Sequence, residues 1–352
     1  MKPDEIFDSA VKNALDFLEH SINEIESDPK YSLIHFFSAV EIIFKARLML
    51  EHWALVFENP KEANFTKFQE GDFTSVNVNE AIDRLKNVSK IQFSENEIKT
   101  YDKIRKHRNK LIHFYHPDIL GEGRSEIIQK VVSEECRAWF FLYQLLTKKW
   151  KTEFLDYQEL IEALNQEIKR NRQYLEVKYE TIRPDIEKGI TRGVVFSECS
   201  YCGFPAAREK QHYGILTEAN CLICENAIEF IRVSCPNCEE DIIVLDMSEG
   251  ECKCGKCGYP IDVNYLLDVF GVYRDPKDEL IEPAHAYCSN CERGDIATVI
   301  PFGEKYLCLN CFAVFDSVSY CEWCNEKNAG LSDTSFMSGC VVCFGRGDWK
   351  ND

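Results

Sequence analysis

No stretch of this 352-residue sequence is apolar enough to cross a bilayer. The greasiest run, residues 31–57, is broken by His35, Glu41, Lys45, Arg47, Glu51 and His52. Lipid-facing helices do not carry ionisable groups at that density, so the run reads as a buried helix and no membrane partner is expected. The N-terminus lacks the basic, then apolar, then small-residue order of a secretory signal. Cations are in deficit as well: 41 Lys and Arg stand against 59 Asp and Glu, a formal charge of −18. Such a body repels the phosphates of long duplex nucleic acid. Any nucleic-acid contact therefore needs a local basic patch.

Cysteine, by contrast, is plentiful and ordered. Sixteen of the eighteen cysteines form eight Cys-x-x-Cys pairs: Cys199/Cys202, Cys221/Cys224, Cys235/Cys238, Cys254/Cys257, Cys288/Cys291, Cys308/Cys311, Cys321/Cys324 and Cys340/Cys343. A Cys-x-x-Cys turn aims two thiolates at one tetrahedral Zn²⁺, and a second pair about 15–20 residues on closes the shell. Eight pairs imply about four closed sites, which leave no open position for water or substrate, so the zinc is structural and no catalytic metal is expected. Paired thiols without an export signal favour metal over disulfides and a reducing, cytoplasmic setting. Sixteen thiolates with four Zn²⁺ lower the charge by a further eight, to about −26. Cys252 competes with Cys254 as a ligand, and Cys136 reads as a small core residue.

The spacing between successive pairs is 18, 10 and 15 residues, then 16, 9 and 15. That recurrence fits a duplication into two units of two sites each. Apolar runs at 297–300 and 312–315 read as the strands of a zinc ribbon, in which two knuckles are joined by a hairpin. Sequential pairing is preferred, first with second and third with fourth; a crossed arrangement also satisfies the spacing.

The first 150 residues read as an all-α bundle of about five helices. Phe7, Val11, Ala14, Leu15, Leu18, Ile22 and Ile25 hold a helical stripe that Asp28-Pro29 ends. Further helices are expected at 31–57, 79–90, 94–114 and 124–150, with a polar loop at 59–77. Ser94 and Glu97 make a capping box for the fourth, and Pro117 marks its end. Length and composition suit two or three soluble domains. The expected division is a helical bundle at 1–150, a charged helical linker at 151–190, zinc-ribbon pair 1 at 191–265, a linker at 266–285 and zinc-ribbon pair 2 at 286–352.

The chemistry has to come from the helical half. Six basic residues lie between Lys99 and Lys110 against one acid, Asp102. Projected at about 100° per residue, Ile98, Tyr101, Ile104, Leu111, Ile112 and Tyr115 share an apolar sector with Arg108 in its middle. Asn109 and His113, four apart, share the neighbouring polar face. A guanidinium in an apolar stripe is costly unless it is paired or lines a cleft. It is either a buried ion pair, with Glu41 as a candidate partner, or a phosphate site with His113 beside it for proton transfer. Among residues of lesser weight, His107 and His116 flank the motif, and Phe204, Phe302, Phe312 and Trp323 either stack on bases or cover the small ribbon cores.

The segment Arg108-Asn109-Lys110-Leu111-Ile112-His113 resembles the Arg-x(4–6)-His signature of HEPN-domain ribonucleases, including the polar residue after the arginine. The likeness covers roughly residues 1–150 and does not reach the zinc half. It implies a metal-independent endoribonuclease whose two helical domains pair, so that both motifs face one composite cleft. His113 would handle the proton of an attacking ribose 2′-hydroxyl, Arg108 would hold the phosphate, and Asn109 would orient either group. The substrate would be single-stranded or tRNA-like RNA, and the role that of a toxin or anti-phage defence effector, with the ribbons recognising target or protein partner. The alternative is a non-catalytic HEPN/zinc-ribbon adaptor that binds RNA or protein.

Overall fold

Helix-forming periodicity governs the first half of the chain. In the computed structural model, which describes residues 3–113, 124–245, 247, 251–270, 285–291 and 297–345, this half is all-helical and the second half is built of short strands around cysteine groups. The chain divides into two compact units, Met1–Glu187 and Lys188–Asp352.

The helical unit contains α1 (Pro3–Glu24), α2 (Pro29–Glu51), α3 (Phe65–Glu70), α4 (Val78–Asn87), α5 (Glu95–His113), α6 (Arg124–Gln144), α7 (Gln158–Ile168) and α8 (Arg172–Thr191), the last running into the second unit. The stripe on α1 buries Val11, Ala14, Leu15, Leu18, Ile22 and Ile25 against α2. Phe44 of α2 sits at the centre, with edge contacts to Tyr101 and Trp150 at 5.3 Å each. Arg47, buried on α2, bridges Glu51 at 2.7 Å and Glu153 at 2.8 Å, which satisfies a charge that the core could not hold alone.

Two local differences from the sequence reading have clear causes. The helix expected at 31–57 stops at Glu51, because His52 turns to extended backbone and its Nδ1 accepts the Ala54 N–H at 3.2 Å. The polar stretch 59–77 is not simply a loop. Asn64 caps α3 by accepting the Lys67 N–H, and Gly71 at φ +73° ends it. Its Phe65 and Phe68 then complete an aromatic cluster on Trp53. The Ser94–Glu97 capping box of α5 forms reciprocally, at 2.6 and 3.2 Å; Pro117 lies outside the described residues.

The charged segment 151–187 holds α7 and most of α8, which fold along the bundle. Tyr157 donates to Asp8 at 2.7 Å, and Asn171 donates to Glu26 at 2.9 Å.

In the zinc unit, β1 (Phe196–Ser197), β2 (Ala207–Tyr213), β3 (Leu216–Cys221), β4 (Ala227–Ser234) and β5 (Asp241–Val244) make one antiparallel sheet in sequence order. β6 (Glu251–Lys253) and β7 (Pro260–Asp262) form a hairpin that leads into α9 (Val263–Phe270). The run expected at 297–300 is realised in β9 (Val299–Phe302), which pairs with β10 (Lys305–Cys308); β11 (Val314–Phe315) follows the next knuckle. β8 (Tyr287–Cys288) lies parallel to β13 (Lys327–Ala329), which also pairs with β12 (Val318–Tyr320), and α10 (Ser335–Ser338) precedes the last knuckle.

The ribbons are not independent beads. Leu216, Ile231 and Val244 from the large sheet share one apolar cluster with Ile300, Leu307 and Phe312 from β9, β10 and the knuckle beyond. Met247 donates its N–H to the Asn310 carbonyl at 2.8 Å. Each ribbon has too little apolar surface to bury alone, and the shared core supplies what is missing.

Candidate functional site

The sixteen paired cysteines gather into four groups: Cys199, Cys202, Cys221 and Cys224; Cys235, Cys238, Cys254 and Cys257; Cys288, Cys291, Cys308 and Cys311; Cys321, Cys324, Cys340 and Cys343. The pairing is sequential. In every group the sulfur of the first cysteine lies 3.6 to 3.8 Å from that of the fourth, and the second lies 3.6 Å from the third. A disulfide needs about 2.05 Å. A tetrahedron with Zn–S bonds of about 2.3 Å places its corners about 3.8 Å apart, so the geometry fits zinc and excludes oxidation. Cys254, not Cys252, completes the second group, and Cys136 is buried in α6 as a core residue.

One local conformation builds the knuckles. The residue after the second cysteine is left-handed in all seven described cases: Gly203, Glu225, Glu239, Gly258, Phe312, Asn325 and Phe344, with φ between +50° and +73°. That turn lets its N–H donate back to the carbonyl of the first cysteine at 2.8 to 3.0 Å. Only two of the seven are glycine, so metal and hydrogen bonds hold side-chain-bearing residues in a region they disfavour. Around the thiolates, N–H groups of Ile223, Asn310 and Val342 donate to Cys221, Cys308 and Cys340 at 3.4 Å. The Asn310 amide donates to Cys291 at 3.3 Å. Such donors spread the charge of a thiolate, whereas burial alone pushes the Cys221 thiol upward. With four protein ligands each, these centres hold the fold and offer no position for a substrate.

The basic run on α5 changes character once the neighbouring helices are in place. Lys99 pairs with Glu95 at 2.9 Å, and Asp102 takes both Arg105 and Lys106 at 2.7 Å. Glu134 on α6 takes Lys103 at 3.2 Å and the His107 Nε2 at 2.8 Å. The His107 contact holds the Glu134 carboxyl below its usual range, against a smaller opposing effect of burial. Most of the apparent patch is thus neutralised within the domain. Glu134 was not among the residues singled out by sequence, because its partners lie 27 and 31 positions away.

Arg108 is different. Its guanidinium sits over the Phe37 ring, 5.6 Å from the centroid, and donates to the Asn109 Oδ1 at 3.1 Å. Its Nε is buried without a hydrogen-bond partner. Glu41 pairs with Lys45 at 3.6 Å instead of with Arg108. Among the described residues, no carboxylate makes an ion pair with Arg108 or with Lys110, its exposed neighbour. Tyr101 and Ile104 are buried as the projection requires, but Ile112 is 43% exposed and leaves the core. His113 is the last residue of α5; its side chain, with Tyr115 and His116, lies outside the described residues. Of the ribbon aromatics, Phe204 and Phe312 are buried, Phe302 is partly buried, and Trp323 is exposed.

No helix among the described residues is long and apolar enough to cross a membrane. The arrangement therefore offers, on α5, a guanidinium without an ion pair among the described residues, and four closed metal centres. No family model matches the chain, and no curated protein or solved structure shows significant similarity to it.

Proposed function

We propose that the helical unit is a metal-independent endoribonuclease that works as a homodimer and serves as a toxin or anti-phage defence effector. The observation that carries this reading is Arg108: a half-buried guanidinium, braced by Phe37 and Asn109, with no carboxylate among the described residues to neutralise it. A cation held in that state is set to receive an anion, and the planar fork of arginine matches phosphate oxygens. His113 lies five residues along α5, about 7.5 Å of helix rise. Histidine exchanges protons near neutral pH.

In this reading His113 takes the proton from a ribose 2′-hydroxyl as its oxygen attacks the adjacent phosphorus. Arg108 stabilises the charge growing on the phosphoryl oxygens. The 5′-oxygen leaves with a proton, and the upstream fragment ends in a 2′,3′-cyclic phosphate. Asn109 orients the guanidinium. The resemblance of residues 108–113 to the HEPN motif supports the same assignment and is the source of the dimeric cleft. The zinc unit would select the target or a partner.

Cleavage of a mixed pool of tRNA, mRNA and single-stranded DNA by the zinc-loaded protein tests this, with brief EDTA exposure and zinc content followed in the same samples. RNA-only cutting that ends in cyclic phosphate and falls at least a hundredfold in both Arg108→Ala and His113→Ala is expected. Cutting that survives both substitutions would overturn the site. No cutting by folded, dimeric protein would favour a non-catalytic adaptor that binds RNA or protein.

A further inference from the structure

The fourth ribbon displays apolar side chains that its own core does not use. That core is Cys321, Cys340, Val342 and Cys343, with Leu331 and Val341 at its edge. Outside it, Trp323 is 41% exposed, Phe336 54%, Met337 65% and Phe344 69%. They are neighbours: the Trp323 Nε1 donates to the Phe336 carbonyl at 3.0 Å, and Gly345, next to Phe344, packs on the carbonyls of Met337 and Ser338. Two glycines hold this arrangement. A β-carbon on Gly339 would lie 2.0 Å from the Gly345 nitrogen, so α10 and the last knuckle approach as closely as backbone permits. These contacts bring together the backbone segments that carry the four side chains, with the only polar atom of the indole already satisfied.

Large exposed apolar patches on soluble domains mark interaction sites, and Trp, Phe and Met are the residues enriched at them. The surrounding charge selects the occupant. Residues 318–345 carry Glu322, Glu326 and Asp333 against Lys327, a net −2. Four thiolates with one Zn²⁺ add a further −2. RNA, which has aromatic bases but repeated phosphates, would meet this field at a disadvantage, and a second copy would bring the same negative surface.

We propose that this face of the fourth ribbon docks a segment of a partner protein that combines bulky apolar side chains with lysine or arginine. The proposal gives a place and a chemistry to the recognition role of the ribbons. It does not depend on the helical unit being a nuclease, and its test reads binding rather than cleavage.

A random 12-residue peptide library panned against the full-length, zinc-loaded protein provides that test. Enriched peptides are expected to pair aromatic or branched apolar residues with net positive charge. Their affinity should fall at least tenfold on Phe336→Ser/Met337→Ser, two exposed positions whose change spares the metal ligands. Because that variant alters α10 itself, Glu322→Lys supplies a second reading. It leaves every apolar group in place and should weaken the same peptides severalfold, more so at low salt. Zinc content and far-ultraviolet circular dichroism check that both variants fold. The proposal is overturned if no peptide enriches, or if enriched peptides bind both variants as well as the parent. It is equally overturned if the apolar variant instead loses binding to a labelled oligouridine, which would make the face an RNA site, or converts a dimer to a monomer in sedimentation, which would make it a self-association face.

Discussion

The two units reach a fixed structure by opposite routes. The helical unit buries large side chains around Phe44, Trp139 and Trp150, all essentially inaccessible, and pairs the buried Arg47 with Glu51 and Glu153. The zinc unit has short strands, several of two to four residues, and replaces mass of core with four cysteine tetrads. The comparison teaches where each unit can tolerate change. Packing energy is spread over many side chains, whereas a metal centre concentrates stability in four atoms and the turns that aim them.

Removing zinc should separate the two most sharply. Structural zinc sites supply on the order of 10 kcal/mol or more of folding free energy each. Extended chelation is therefore expected to abolish strand signal in the zinc unit while the helical signal at 222 nm persists. Native mass spectrometry should count the loss of four metals. Coincident loss of helix and strand would break the comparison, because it would mean that the helical unit also rests on metal.

A second contrast is electrostatic. Glu135 on α6 is fully buried; its Oε1 accepts from Ser21 at 2.9 Å and Ser32 at 2.6 Å, and its Oε2 has no partner. Burial pushes its carboxyl up to about 7 from an ordinary 4.5, outweighing the two hydroxyls that pull it down. The folded state therefore keeps the proton where the unfolded state releases it. The resulting stability is complete below pH 4.5 and is lost as pH rises through 7. Urea unfolding of the full chain followed at 222 nm should show the helical unit losing roughly 1 kcal/mol between pH 6 and pH 8. Glu135→Gln should flatten that slope. An unchanged slope in the variant would mean that another group carries it.

The smallest effect concerns the knuckles. Glu239 is exposed and left-handed at φ +61°. Glu239→Gly should stabilise the zinc unit by up to about 1 kcal/mol, and Gly258→Ala, at φ +72° with nothing near the new β-carbon, should cost about as much. Thermal melting of the zinc-loaded protein resolves both. Opposite signs would show that the turn is imposed by metal alone, without backbone strain.

What could be read from sequence follows from range. Cys-x-x-Cys turns and capping boxes are local, so the four tetrads, the α5 start at Ser94 and the stripe of α1 were legible from residues a few positions apart. The choice of sequential over crossed pairing was not, since spacing permits both and only the sheet order places Cys221 beside Cys202. The α5 patch misled for the same reason. Its neutralisers include Glu134, brought in by the packing of α6, and its projected core residue Ile112 is exposed because no helix among the described residues covers it.

By itself, then, the sequence determined that one half is helical and the other organised by four zinc sites, because periodicity and ligand spacing are properties of neighbouring residues. Only tertiary structure decided that the ribbons share a core, that Arg108 stands on Phe37 with no counterion among the described residues, and that Trp323 faces outward while Phe312 faces in. Those outcomes depend on which surfaces meet after the chain returns from dozens of residues away. Burial and charge compensation are set at that meeting.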